Sequence, residues 1–414
     1  MRKITLVRGA RQLLTLRGPS GPRRGTDLRN LGIIQDGAVL IVDGRIQEVG
    51  PSRRVENLAL SRQAELIDAS GRVVMPGFVD SHTHLISGPA QIPDYETRVS
   101  NSNGLAAARA IQELSPRTLE TQALHAVSEA ARHGTTTLEA KSGCGLTEAN
   151  EIRILRVYAA LRNQAIPLIS TFLCAHVSPD YHHRPDQYMD WMCSHMLPLI
   201  HRRKLAGFAD IHCGPGGFSL EHASRYLSIA RQLRLALQVH AAGSMPSGAI
   251  RMAVELGASA IGHLVHVAPD DMAILAQSET IVTLLPGPSF YLGTEEYAPA
   301  RMLIDSGVAV ALASNFNAES SPSQNMQMMV ALACAKMRLT PAEALSASTI
   351  NGAHALRQGA EIGSLETGKR ADLLILSVPD YREIPYHFGV NQVELVIKDG
   401  TVIAKSSEVT WPAP

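Results

Sequence analysis

Two histidines one residue apart close an apolar run, Pro76-Gly77-Phe78-Val79-Asp80-Ser81-His82-Thr83-His84. Side chains alternate faces along an extended chain, so residues i and i+2 point the same way. His82 and His84 therefore present two imidazoles together at a strand end. Neutral imidazole is a ligand for zinc or iron, and two from one strand fix half of a metal site. Gln238-Val239-His240-Ala241 and Ile261-Gly262-His263-Leu264 are two further apolar runs that end in histidine. A lone histidine of this kind is more often a hydrogen-bonded core residue. With the His-x-His upstream, His240 is the expected third ligand, and His263 is expected to support the ligands or face the substrate. Asn315 follows the apolar run Val308 to Ser314. Its plain reading is a loop asparagine at a strand end, where a carboxylate could both bind a metal and take up a proton. An amide offers a carbonyl oxygen but takes up no proton at neutral pH.

Other groups carry weaker signals. Gly287 lies in the Pro/Gly-rich stretch Pro286-Gly287-Pro288 after a strand, read as a turn whose backbone could line a pocket. Cys144 and Cys213 have no adjacent cationic run to lower a thiol pKa, so small pocket or core residues are expected. His182-His183, between Pro179 and Pro185, reads as solvated surface.

The elements that must hold these groups alternate along the middle of the chain. Strands are expected at Thr135 to Ala140, Leu168 to Ala175, Ala209 to Cys213, Ala236 to His240, Ala260 to His263, Ile281 to Leu285 and Val308 to Ala313. Helical patterns lie between them, at Leu119 to His133, Leu220 to Gln232 and Asn325 to Met337. Such alternation predicts an α/β fold, a (β/α)₈ TIM-type barrel, in which chemistry sits at the C-terminal ends of the strands. His84, Lys141, His176, His212, His240, His263 and Asn315 all fall there. Both chain ends read as short strands instead, with Asp43-Gly44 and Asp399-Gly400 as hairpin turns. A small β-sandwich formed from both termini follows, with residues 1–75 and 361–414 flanking a barrel at 76–360.

Bulk composition agrees. The 414 residues carry 38 basic and 38 acidic side chains, so no long-range pull toward nucleic acid or an anionic membrane exists. No apolar run is long enough for a membrane span, and the charged N-terminus is no secretory signal. Five widely spaced cysteines without a CxxC suggest a reducing, cytoplasmic setting.

On these motifs the chain resembles the imidazolonepropionase family of the amidohydrolase superfamily. Pro76 to His84 carries the superfamily likeness. Lys141-Ser142-Gly143, Pro286-Gly287-Pro288-Ser289-Phe290 and Tyr386-His387-Phe388-Gly389 carry the narrower one. The resemblance implies a metal-bearing barrel that hydrolyses the cyclic amide of imidazolone propionate. It implies one divalent metal, zinc or iron, on His82, His84 and His240, with active-site histidines at His176 and His263.

The departures fall on the chemistry. Where the family has a metal-binding Asp, this chain has Asn315. The family Ala-Asp-Glu after the third ligand is Ala241-Ala242-Gly243, its Tyr after Lys-Ser-Gly is Cys144, and an acidic residue is replaced by Gly214. The family Arg for the substrate carboxylate aligns with Gln91. The expected function is therefore hydrolysis of a C–N bond in another cyclic amide, an imidazolone-, hydantoin- or lactam-like ring, by a metal-activated water. His263, Asn315 and His176 are the expected catalytic positions, and Gln91, Cys144 and His176 the substrate-binding ones. The missing proton acceptor would be His263, His176, Glu139 or Glu319. The alternative is a lyase, isomerase or cyclase, or a metal-free barrel. A small-molecule substrate and a homodimer are the expected partners.

Overall fold

The computed structural model describes residues 2–88, 92, 110–241 and 248–406. Its strands form two sheets. The first combines β1 (Ile4–Leu14), β2 (Ile33–Val42), β3 (Arg45–Pro51), β4 (Glu65–Asp68) and β5 (Val73–Pro76) from the front of the chain. β14 (Leu373–Leu376), β15 (Val393–Lys398) and β16 (Thr401–Lys405) join them from the back. The order is β16-β15-β14-β5-β1-β2-β3, with β4 also paired to β1. The expected small domain from both termini is thus an eight-stranded mixed sheet. Its β2–β3 and β15–β16 hairpins turn at Asp43-Gly44 and Asp399-Gly400, as the sequence indicates.

The second sheet is the barrel. β6 (Phe78–Asp80), β7 (Thr135–Lys141), β8 (Leu168–Cys174), β9 (Phe208–His212), β10 (Ala236–His240), β11 (Ala260–Gly262), β12 (Ile281–Leu284) and β13 (Val310–Leu312) pair in sequence order, all parallel. A strand covered on both faces can be apolar throughout, and β12 and β13 are buried along their whole length. The barrel closes at its mouth beyond β6 and β13. Thr83 bridges Phe316, Asn315 donates its backbone N–H to the His82 carbonyl at 3.0 Å, and His84 donates to Phe316 at 2.7 Å. Asp80 reinforces the seam by accepting from the Ser314 backbone N–H at 3.0 Å and from its hydroxyl.

Helices begin where side chains can satisfy the first free N–H groups. Ser115, Ser219 and Asn325 cap Pro116–Arg132, Leu220–Gln232 and Met326–Met337. The first of these starts before the apolar pattern does, because Ser115 caps it and Pro116 suits the first helical position. Pro286–Leu292 corrects the expected turn at Gly287. It is a short helix with proline in its first turn, ended by Gly293 in the left-handed conformation. A Cβ on Gly287 would lie 2.2 Å from the Ser321 hydroxyl and 3.0 Å from the Ser314 carbonyl. The missing side chain lets this helix pack onto the loop that carries Asn315.

Candidate metal centre and active-site cleft

His82, His84 and His240 converge at the barrel mouth, their ligand atoms all within 4.8 Å of one another. The Nε2 atoms of His82 and His240 are 3.1 Å apart. Zn–N bonds of about 2.0–2.1 Å place two ligands of a tetrahedral ion roughly 3.3 Å apart, so this spacing suits a shared ion. Burial, with Lys141 and the neighbouring histidines adding to it, holds His82 well below its ordinary pKa. Burial and His240 do the same for His84. Both rings are neutral and able to donate a lone pair. His82 lies against β11 because Gly262 has no side chain, and a Cβ there would meet the His82 ring at 2.8 Å.

The third histidine is held from behind. His240 Nδ1 lies 2.8 Å from Asp210 Oδ2. A carboxylate accepts, so Nδ1 carries the hydrogen and Nε2 is free toward His82. The period of the strands builds this support. Glu139 and Lys141 share a face of β7, Asp210 and His212 a face of β9, Gln238 and His240 a face of β10. Lys141 is fully buried, and Nζ donates to Glu139 at 2.7 Å, to Asp210 at 2.9 Å and to Gln238. Burial alone would raise the Asp210 carboxyl, but Lys141 and His240 outweigh it and hold it below its usual range. Burial of Glu139 is only partly offset by Lys141 and Thr171, and its carboxyl is pushed up to about 7.

A cleft of about 350 Å³ opens beside the triad, lined among others by His84, His176, His212, His263, Asn315 and Glu319. His263 packs on His82 and His240 with ring centroids 5.1 and 4.7 Å away. His176 stands against His212 at 5.8 Å. The His263 and His212 Nε2 atoms and Asn315 Oδ1 are buried without a hydrogen-bond partner among the described residues. His263 and Asn315 both adopt left-handed backbone, at φ 63° and 52°. That conformation is costly for histidine and tolerable for asparagine, and strain of this kind gathers at sites. The donor set fits a metal: neutral imidazoles from His82, His84 and His240, with the amide oxygen of Asn315 in the same cleft.

The residues read from the sequence therefore meet, with exceptions. Cys144 lines the cleft, and burial followed by Glu151 pushes its thiol up to about 12, so it is an inert wall. Glu139 is turned into the ion network with Lys141 and does not line the cleft, which removes it as a proton acceptor. Glu319 does line it. Gln91, Ala242 and Gly243 lie outside the described residues. Asp80 binds Ser314 rather than joining the triad. His182 and His183 are exposed. The sequence reading assigned no role to Asp210, Gln238 or His212. Their signal was available, since polar residues recur at every second position of otherwise apolar strands in Asp210/His212 and Gln238/His240.

Residues 73–403 match the amidohydrolase family. The chain is 40% identical over 408 residues to an imidazolonepropionase of Parabacteroides distasonis, covering 95% of this chain and 97% of that protein. It is 36% identical over 416 residues to an imidazolonepropionase of Alkaliphilus metalliredigens, covering 98% and 99%. A triazine hydrolase variant shares the fold with a TM-score of 0.76 at 19% identity, over 97% of this chain and 95% of that one.

Proposed function

Because the chain belongs to the amidohydrolase family, as an imidazolonepropionase-like hydrolase, we propose that it opens a neutral cyclic amide at one divalent metal. One observation carries the reading. Three histidines converge beside a ligand-sized cleft, with His82 and His240 Nε2 atoms at ligand-to-ligand spacing. When bound, zinc or iron supplies Lewis acidity that polarises a ring carbonyl and acidifies water.

The chain's own residues do the rest. Asp210 orients His240. His263, neutral through burial and its histidine neighbours, has Nε2 free to relay a proton. Asn315 offers an oxygen but cannot hold a proton, so the relay falls to His263, His176 or Glu319. Glu319 is the carboxylate of the cleft, and no Lys or Arg lines it among the described residues. With Gln91 where the resemblance expects arginine, an uncharged imidazolone, hydantoin or lactam ring suits the cleft better than an anionic one.

The test is zinc and iron analysis of the purified protein, then a ring panel with loaded and metal-stripped protein. Expected is one ion per chain and ring opening that disappears on stripping. Turnover of imidazolone propionate at the rate of the best neutral ring would overturn the substrate reading. Asn315 favours a second reading, a non-hydrolytic lyase or isomerase run by the histidines. Activity that survives complete metal removal would select it.

A further inference from the structure

Lys141 is a fully buried charge inside the barrel that the reaction itself does not use. It sits 69 residues before Asp210 and 97 before Gln238, and spends all three ammonium hydrogens on acceptors from β7, β9 and β10. A buried ammonium is costly unless each hydrogen is bonded, so the chain retains it against a large desolvation penalty. One atom links it to the mouth. Asp210 Oδ2 accepts from Lys141 Nζ at 2.9 Å and from His240 Nδ1 at 2.8 Å. Asp210 Oδ1 has no partner among the described residues, so Lys141 and His240 are the contacts that fix this carboxylate. We infer that Lys141 is a positioning residue for the metal centre: it pins Asp210, and through Asp210 it sets the ring orientation and tautomer of His240.

The inference rests on reading His82, His84 and His240 as a metal site. Without Lys141 the carboxylate is free to rotate, and His240 loses the fixed acceptor that keeps Nε2 turned toward His82. Loss of a group that orients a ligating histidine weakens metal binding by about 10–100-fold. Zinc affinity of the whole chain, measured by competition with a chromophoric chelator, reads this without any substrate. Lys141→Met should bind zinc about 10–100-fold more weakly than the parent while still binding one ion. Asp210→Asn should weaken binding comparably, and Lys141→Met should add no further loss in the Asp210→Asn background.

Parental affinity in Lys141→Met overturns the inference. So does a second, equal loss in the Asp210→Asn background, which is what independent structural damage produces. If Lys141→Met alone does not fold, Asp210→Asn against Asp210→Asn/Lys141→Met decides, because that pair does not leave Asp210 charged and unpaired. Equal affinities support the inference and a weaker double variant overturns it. Parent protein that binds neither zinc nor iron overturns the metal-site reading itself, an outcome distinct from all of these.

Discussion

At position 315 an amide stands at the end of the eighth barrel strand, hydrogen-bonded through its backbone to His82. Its φ of 52° suits Asn and Asp alike, so Asn315→Asp changes charge without a new backbone demand. A carboxylate beside three neutral histidines should raise zinc affinity by about an order of magnitude. It should also depress activity on the native ring, because Cys144 in the cleft, and Gln91 in the sequence, depart from the family pattern together with Asn315. Chelator competition and steady-state rates on both forms check this. Unchanged native rates would show that Asn315 takes no part.

Glu139 allows a pH prediction at the same scale. Its folded value of about 7 lies above the ordinary 4.5. Between those values the folded chain keeps a proton that the unfolded chain has released, so this residue's contribution to stability falls as pH rises through the window. Glu139→Gln keeps an oxygen for Lys141 and Thr171, and should flatten the slope of melting temperature against pH. Parallel slopes in parent and variant would mean that Glu139 is ionised throughout.

Among the elements, the helix Pro286–Leu292 and the loop after β13 form one packed unit at the cleft. Alanine ordinarily favours a helix over glycine by about 1 kcal/mol. Here the new methyl would stand 2.2 Å from the Ser321 hydroxyl and 3.0 Å from the Ser314 carbonyl. The steric effect wins, because the second contact is backbone and cannot swing aside. Gly287→Ala should cost about 1–3 kcal/mol and displace the segment that holds Asn315. A lowered melting temperature together with weaker zinc binding is expected, and a stabilised variant with parental zinc affinity would refute the packing argument.

Across the whole molecule, Gly77 alone separates β5 of the terminal sheet from β6 of the barrel, and β14 pairs with β5 in the reverse direction. The first barrel strand, and the His-x-His beyond it, therefore hang from a sheet completed by the last part of the chain. Lys398 and Asp372 form a buried pair at 2.5 Å inside that sheet. Lys398→Met leaves Asp372 buried without its cation, at a cost of about 3–5 kcal/mol. Thermal unfolding should show the melting temperature falling, with metal affinity lost only as the protein unfolds. A variant that melts like the parent would show that the pair contributes no net stability.

The sequence alone determined the alternation of the barrel, the hairpins of both ends and the histidines that could bind metal, because these signals are local. A period of two places His82 beside His84, and an apolar run ending in histidine marks a strand end wherever it occurs. Only the tertiary structure decided which polar side chains meet. Closure of the barrel brings Asn315 to His82, and strand register brings Lys141, Asp210 and Gln238 under His240. It also decided that Glu139 serves an internal ion network and Glu319 the cleft, a choice that depends on which rung of the barrel a side chain occupies. Residue types and spacing carry the period of each strand. The stagger between strands, set by closure and packing, determines which rungs face one another.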